Sequence, residues 1–152
     1  MIKKDQLEIL QGNALALESA TPWLERSYNI CRDYDPENLD EEGMDAFETL
    51  TSRFARVTDL LFNKVFRSIV YVEEGETYTL IDTLNFMAKR GVIDNMENAR
   101  IIKELRNDIV HEYVMEDLHE LFKEILNNCP KIFQYTDNAQ KEVEKLKRKL
   151  KM

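Results

Sequence analysis

Apolar residues recur along the chain at spacings of three and four, which is the period of an amphipathic α-helix. No stretch shows the strict alternation of apolar and polar residues that is typical of a half-buried β-strand. The clearest stripe extends from Phe47 to Ile69, and it predicts a long helix that ends near Gly75, a residue suited to a left-handed cap. The pattern therefore predicts an all-α protein.

The same period predicts the remaining helices. A first helix is expected over about 4–32, with Pro22 as a point of kinking, and others over 79–90 and 94–111. A last helix begins after Asp117, and Pro130 is expected to interrupt or end it. The acidic stretch 33–48 is predicted to be a loop that leads into a helix start near Asp40. We expect an antiparallel bundle of four to five helices without strands.

A chain of 152 residues favours one domain. We divide it into a helical bundle domain over 1–137 and a basic, helical C-terminal tail over 138–152. The tail holds six basic and two acidic residues, although the whole chain has a formal charge of −8. Such a tail is either a solvated helix end or a means of attracting RNA.

Composition narrows the function classes further. A net charge of −8 argues against a protein that coats nucleic acid nonspecifically, but it leaves room for a small, locally basic RNA site. Cys31 and Cys129 stand far apart without a metal or redox pattern, so we expect two reduced thiols. Neither a membrane span nor a signal peptide is visible. These features predict a cytoplasmic protein that does not bind membranes.

The two histidines first invite a metal hypothesis. Asp108 precedes His111 by three residues and Glu116 precedes His119 by three, as in the carboxylate-x-x-His units of di-iron bundles. Those units must lie on separate facing helices, whereas these two flank a single predicted helix break. We therefore expect no metal site, and we interpret His119 as a surface or capping residue.

The segment from Arg106 to Tyr113 carries the most suggestive set of side chains: a cation, an amide (Asn107), an imidazole (His111) and a phenol. RNA cleavage without a metal needs a base for the ribose 2′-hydroxyl, an acid for the leaving oxygen and a cation for the phosphorane. An imidazole titrates near neutral pH, and a guanidinium offers two donors to a phosphate. In a straight helix Arg106 and His111 point about 140° apart. The alternative to a catalytic role is that the aliphatic stem of Arg106 packs beside the core and that His111 is a solvated residue near the helix end.

These residues resemble the HEPN superfamily, and in particular its HepT-like ribonuclease toxins. Arg106, Asn107, His111 and Tyr113 match the R-x4-H-x-Y signature of that family. The stretch 52–59 is similar to its second helix, which bears Arg and Asp, and 79–84 with 89–93 is similar to its short third helix and the following turn. The resemblance covers about 45–122.

The resemblance implies a homodimer whose two R-x4-H helices line a shared cleft that cleaves RNA without a metal or other cofactor. Arg106 would hold the scissile phosphate, His111 would act as general acid and base, and Asn107 would position the substrate. Asp59, with Arg53 or Arg56, would orient the cleft. It further implies a cognate minimal nucleotidyltransferase antitoxin that adenylylates Tyr113, which blocks RNA by charge and bulk.

Other interpretations stay open. Arg53, Arg56 and Asp59 are spaced by three, so they could form only a charge ladder on one helix. The chain could also be a non-catalytic subunit that binds a nucleotide or substrate for a nucleotidyltransferase, which the acidic composition favours. A purely structural scaffold would leave the Arg-Asn-His-Tyr set unexplained. We expect the phenylalanines at 47, 54, 62 and 66 to lie in the core and interface.

Overall fold

The computed structural model describes residues 4–111 and 115–151, without the side chains of 115–117 and 151. Within these ranges the chain forms five helical rods and no strand, which confirms the predicted all-α bundle. The second rod is continuous and has three parts. The elements are α1 (Lys4–Cys31), α2 (Glu41–Asp59), a π-helical segment (Leu60–Val65), α3 (Phe66–Glu74), α4 (Leu80–Lys89), α5 (Met96–Val110) and α6 (Met115–Lys151).

The helix ends follow from local side-chain chemistry. At the start of α2 the carboxylate of Asp40 accepts the backbone N–H of Gly43 at 2.8 Å, and at the start of α5 the amide of Asn95 accepts that of Asn98 at 2.8 Å. Both contacts satisfy a donor that the first helical turn leaves free. Gly75 ends α3 with φ of 79°, the left-handed cap predicted from the sequence.

Side-chain contacts show that α1 runs antiparallel to the second rod. Near its C-terminal end, Ser27 accepts a hydrogen bond from Arg53 at 2.8 Å, and near its N-terminal end Asn13 donates one to Ser68 at 2.7 Å. Residue numbers therefore decrease along α1 in the direction in which they increase along the second rod, so the two are antiparallel. Neighbours that follow each other through a short loop usually pack in this way.

Helix α6 packs against α1 in the same sense. The rings of Tyr28 and Phe133 meet edge to face with centroids 5.7 Å apart. Two turns further along α6, Gln140 donates to the backbone carbonyl of Ala14 at 3.0 Å. Helix α1 therefore contacts both the second rod and α6.

The core forms along these shared faces. Phe47, Phe54, Phe62 and Phe66 are each at most 1% exposed, which confirms their predicted place in the core. Phe47 stacks on Phe122 of α6 with ring centroids 5.0 Å apart. Burying several aromatic rings supplies a large share of the apolar area that stabilises a domain of this size.

The π-helical segment Leu60–Val65 was not predicted from the sequence. A π-helix inserts about one extra residue per turn, so adjacent residues share the buried face. Leu61 with Phe62 and Val65 with Phe66 form two such adjacent pairs, and all four are at most 1% exposed. Ile69 and Val70 of regular α3 form a similar buried pair, so adjacent apolar residues alone do not mark the widened turn in the sequence.

The predicted interruption at Pro130 is wrong, because α6 continues from Met115 to Lys151 through it. Proline removes one N–H, which would otherwise bond to the carbonyl of Leu126, one turn back. Pro130 is exposed, whereas Cys129 and Ile132 on either side of it are fully buried. Packing of both halves against the bundle keeps the helix continuous despite the lost hydrogen bond.

The boundary predicted between 137 and 138 falls inside α6. Beyond it, Ala139, Val143 and Leu146 are at most 7% exposed and belong to the core. Lys141 and Lys145 on the same turns have side chains about 70% exposed. The basic segment is thus an amphipathic part of the bundle that directs its charges outward. No helix of the described residues is long and apolar enough to cross a membrane.

Candidate functional site

Arg106 and Asp59 form the centre of the candidate site. The Nε and Nη2 atoms of Arg106 donate to the two carboxylate oxygens of Asp59 at 2.6 and 2.9 Å. Asp59 is the last residue of α2 before the π-helical segment, and Arg106 lies in the final turns of α5. The contact joins two packed helices by a planar, bidentate ion pair, which fixes the orientation of the guanidinium.

The pair leaves Arg106 charged and partly available. The hydrogen bond to Asp59 raises the pKa of the guanidinium above its ordinary value, so the group stays protonated. Its side chain is 30% exposed. A guanidinium has five N–H donors, of which Asp59 uses two. Among the described residues no acceptor contacts Nη1, whose N–H groups could donate to a phosphate oxygen.

His111 lies where α5 ends. Its backbone N–H donates to the carbonyl of Asn107 at 3.1 Å, and its ψ of 142° turns the chain out of the helix. The residue is exposed, and the adjacent Val110 is 59% exposed. An imidazole in this position is accessible to a substrate or to a second protein molecule.

The structure places Arg106 and His111 on the same helix end but on different sides of it. Helix α5 is regular through Val110, so five residues separate the two side chains by about 140° around the axis. Arg106 faces α2, where it pairs with Asp59. His111 lies at the residue where the chain leaves α5. One copy of α5 therefore does not aim both groups at one point.

Of the other motif residues, Asn107 is half-buried and holds His111 through its backbone carbonyl. Tyr113, the predicted site of modification, lies outside the described residues. Its position relative to His111 stays a prediction.

Arg53 and Arg56 do not join the Asp59 pair. Arg53 turns toward α1, where its Nη1 donates to the carbonyl of Trp23 at 3.1 Å and to the hydroxyl of Ser27 at 2.8 Å. Arg56 is exposed and lines a groove with Trp23. Among the described residues neither arginine makes an ion pair with Asp59, so the alternative of a charge ladder on α2 is wrong.

The histidine outside the motif has a structural contact. His119 Nδ1 lies 2.7 Å from the carbonyl oxygen of Pro36, so a protonated Nδ1 donates to it and ties α6 to the acidic loop. The ring is half-buried in this tertiary contact, which differs from the predicted role as a surface or capping residue. In the part of the chain that the structure describes, no group of three or more His, Cys, Asp or Glu side chains could hold a metal ion.

One polar cluster was missed by sequence reasoning. Asp94 accepts hydrogen bonds from the hydroxyl of Tyr135, from Lys131 Nζ at 2.6 Å and from Asn98 Nδ2 at 2.7 Å. Burial opposes ionisation of Asp94, but these donors and the N–H of Asn95 together hold the pKa of the carboxyl well below its usual range. Tyr135 is fully buried, and a buried phenol needs a partner. The cluster locks α5 to α6 and is structural.

Comparison of the chain with protein-family models, with curated proteins and with solved structures gives no significant match. The likeness to HepT-like toxins thus rests on the motif residues themselves.

Proposed function

We propose that the chain is a metal-independent endoribonuclease toxin that acts as a homodimer and is neutralised by a cognate minimal nucleotidyltransferase antitoxin. The observation that carries this proposal is the guanidinium of Arg106, which Asp59 orients at the same helix end that exposes His111. A fixed cation and an accessible imidazole are the minimal equipment for transesterification of RNA once both reach the same phosphodiester.

In this mechanism Arg106 binds the scissile phosphate through the donors that Asp59 leaves free. Asp59 is a positioning residue, since its carboxylate contacts the guanidinium and not the substrate. The ion pair holds the guanidinium of Arg106 in one orientation. Since the site is accessible to water, the edge of the guanidinium that faces away from Asp59 can meet the phosphate. Preorganised charge of this kind stabilises the crowded phosphorane without rearrangement during the reaction.

His111 performs the proton transfers. It takes the proton of the ribose 2′-hydroxyl as the 2′-oxygen attacks phosphorus, and it supplies a proton to the leaving 5′-oxygen as the P–O5′ bond breaks. The products are a 2′,3′-cyclic phosphate and a free 5′-hydroxyl. No step requires a metal, an oxidant or a cofactor.

A second copy of the chain completes the site. Since Arg106 and His111 point about 140° apart on one α5, we place Arg106 of one protomer and His111 of its partner on the same phosphodiester. Val110 supports this arrangement, because an apolar side chain 59% exposed beside His111 gains from burial against a symmetric copy.

The antitoxin would act on Tyr113. A nucleotidyl group attached to its phenol adds negative charge and bulk two residues from His111, where it repels and obstructs an RNA phosphate. Mass spectrometry of the chain expressed with and without a nucleotidyltransferase tests this: an added nucleotide on Tyr113 supports the proposal, and a modification elsewhere contradicts it.

A non-catalytic binding subunit is the alternative, and the acidic composition favours it. In that case Arg106 binds phosphate and His111 transfers no proton. The two functions predict different fates for RNA: cleavage to cyclic phosphate ends in one case, and binding without turnover in the other.

The test uses purified protein, a structured RNA and a chelator. We expect the wild type to cleave in the presence of EDTA, His111→Ala to be folded and inactive, and a DNA strand of the same sequence to stay intact. His119→Ala is the matched control, because it removes the other histidine of the chain and should leave cleavage unchanged. Unchanged cleavage by folded His111→Ala contradicts the mechanism, and binding without cleavage by the wild type establishes the alternative.

A further inference from the structure

Trp23 is unusually exposed for the one tryptophan of the chain. It lies on α1 beside α2 and is 57% exposed. Covering a large exposed aromatic ring with a partner is favourable because apolar area leaves water, and tryptophan is enriched at interfaces for this reason. The sequence pattern had not assigned Trp23 to any function.

Arg53 is fixed against this ring. Its guanidinium carbon lies 5.2 Å from the ring centroid, and its Nη1 is anchored by the carbonyl of Trp23 and the hydroxyl of Ser27. The two hydrogen bonds restrict both the arginine and the part of α1 that carries the indole. Trp23 is therefore a partly exposed aromatic platform with a cation over one face of its ring.

The platform borders a groove of about 390 Å³, which we call the Trp23 groove. Two of its lining residues are small, two are cationic, and no carboxylate lines it among the described residues. The lining residues are Ser19, Ala20, Trp23, Arg53 and Arg56. In a chain with a net charge of −8, this groove is a local site of positive charge.

We propose that the Trp23 groove binds a nucleotide unit, with the base stacked on Trp23 and the phosphate bound by Arg56. Every base has a π-face that can stack on an indole, and arginine is the side chain best suited to phosphate. Arg56 is exposed and makes no ion pair with a described residue, so it is available to the phosphate. Arg53 adds charge at the other side of the ring.

A second copy of the chain is a weaker candidate for this groove, because two cations, two small residues and one aromatic ring do not form the apolar core that is typical of a homodimer interface. Nucleotide binding in the Trp23 groove does not depend on the proposed cleavage of RNA. Arg53 and Arg56 face α1, whereas Asp59 and Arg106 meet on the side of α2 that faces α5. Binding in the groove can therefore be measured with a strand that cannot be cleaved.

The emission of Trp23 reports binding directly, because no other tryptophan contributes. The full chain is titrated under tryptophan-selective excitation with a short single-stranded oligodeoxyadenylate, with adenosine monophosphate, and with dextran sulfate as a polyanion without bases. We expect saturable quenching by the nucleotide probes and little by dextran sulfate. A higher affinity for the strand assigns the groove to nucleic acid, and a higher affinity for the monophosphate assigns it to a free nucleotide.

Variants separate the two parts of the interaction. Arg56→Gln keeps the fluorophore and should weaken binding of the oligonucleotide about fivefold or more, whereas Arg100→Gln, an exposed arginine of α5, should not. Trp23→Ala should weaken binding of a labelled oligonucleotide by about 5- to 150-fold. If Trp23→Ala does not fold, Arg56→Gln alone decides.

Equal quenching by dextran sulfate, or no quenching by either nucleotide probe, overturns the proposal. It is also overturned if Trp23→Ala converts a dimer to a monomer in sedimentation while nucleotide binding persists, because the groove then holds a second copy of the chain.

Discussion

Arg106 and Asp59 are 47 residues apart in the sequence, yet the guanidinium of one holds both carboxylate oxygens of the other at 2.6 and 2.9 Å. The two side chains are 30% and 38% exposed, so solvent screens the pair. A pair of this kind contributes about 1 kcal/mol or less to stability. Its value to the protein is therefore orientation of the cation, not stability.

The ion pair predicts that Asp59→Asn lowers the rate of RNA cleavage strongly and the stability only slightly. The free energy of unfolding should fall by no more than about 1 kcal/mol, since the lost ion pair is partly screened. RNA cleavage should fall about tenfold or more, since the guanidinium loses its bidentate partner. The control is Glu97→Gln on α5, which removes an exposed ion-pair partner of Arg100. It should leave cleavage unchanged. Equal activity of the two variants contradicts the positioning role of Asp59.

The cluster around Asp94 predicts sensitivity to acid. Because its carboxyl pKa is lowered in the folded state, its contribution to stability is present above the ordinary pKa near 4 and is lost as the pH falls below it. Asp94→Asn should lower the free energy of unfolding by about 1–3 kcal/mol at neutral pH. Denaturant titrations at several pH values should show this difference shrinking below about pH 4. Asp108→Asn, an exposed control on α5, should leave the free energy of unfolding at neutral pH nearly unchanged.

The π-helical segment predicts an unusual tolerance of deletion. Removal of the exposed Asn63 should convert the wide turn to an α-helical one while both flanks of the rod keep their faces, so the protein should stay folded. Removal of the exposed Ser52 from regular α2 turns one part of the rod by about 100° relative to the other. Thermal unfolding should show a cooperative transition for the first deletion only. Comparable losses in both variants contradict the interpretation of the segment as one inserted residue.

The C-terminal segment beyond residue 137 carries many charges, yet we predict that its apolar residues contribute to the packing of the core. Truncation after Asp137 removes Ala139, Val143 and Leu146 from the core and should cost about 2–5 kcal/mol of stability. Replacing Lys141, Lys145 and Lys149 by Gln removes charge but no buried area, so stability should change little. A stable truncated protein would show that the segment is a separable tail.

Most of the helical architecture is predictable from the sequence because the helices are amphipathic and several of them carry their own cap. The stripe from Phe47 to Ile69 and the caps at Asp40 and Gly75 locate the second rod to within a few residues. Pro130 was misjudged because its local cost is offset by long-range packing of α6, which no local pattern reveals.

The site was predictable only in part, for a related reason. The motif marks Arg106 and His111, but a partner 47 residues away is chosen by how α2 and α5 pack. The spacing of Arg53, Arg56 and Asp59 allowed either a charge ladder or a role in the cleft, whereas tertiary contacts draw Arg53 to Trp23. Those contacts connect helices that are distant in the sequence, so residue periodicity within one helix does not determine them.

The central claim, that two protomers supply Arg106 and His111 to one phosphodiester, is tested most directly by mixing inactive chains. Folded Arg106→Gln and His111→Ala proteins, differently tagged, are refolded together, and heterodimers are confirmed by co-purification. Each heterodimer then holds one intact site, so the mixture should regain roughly a quarter of the wild-type RNA cleavage rate, while each variant alone stays inactive. Heterodimers without restored cleavage would contradict a shared site.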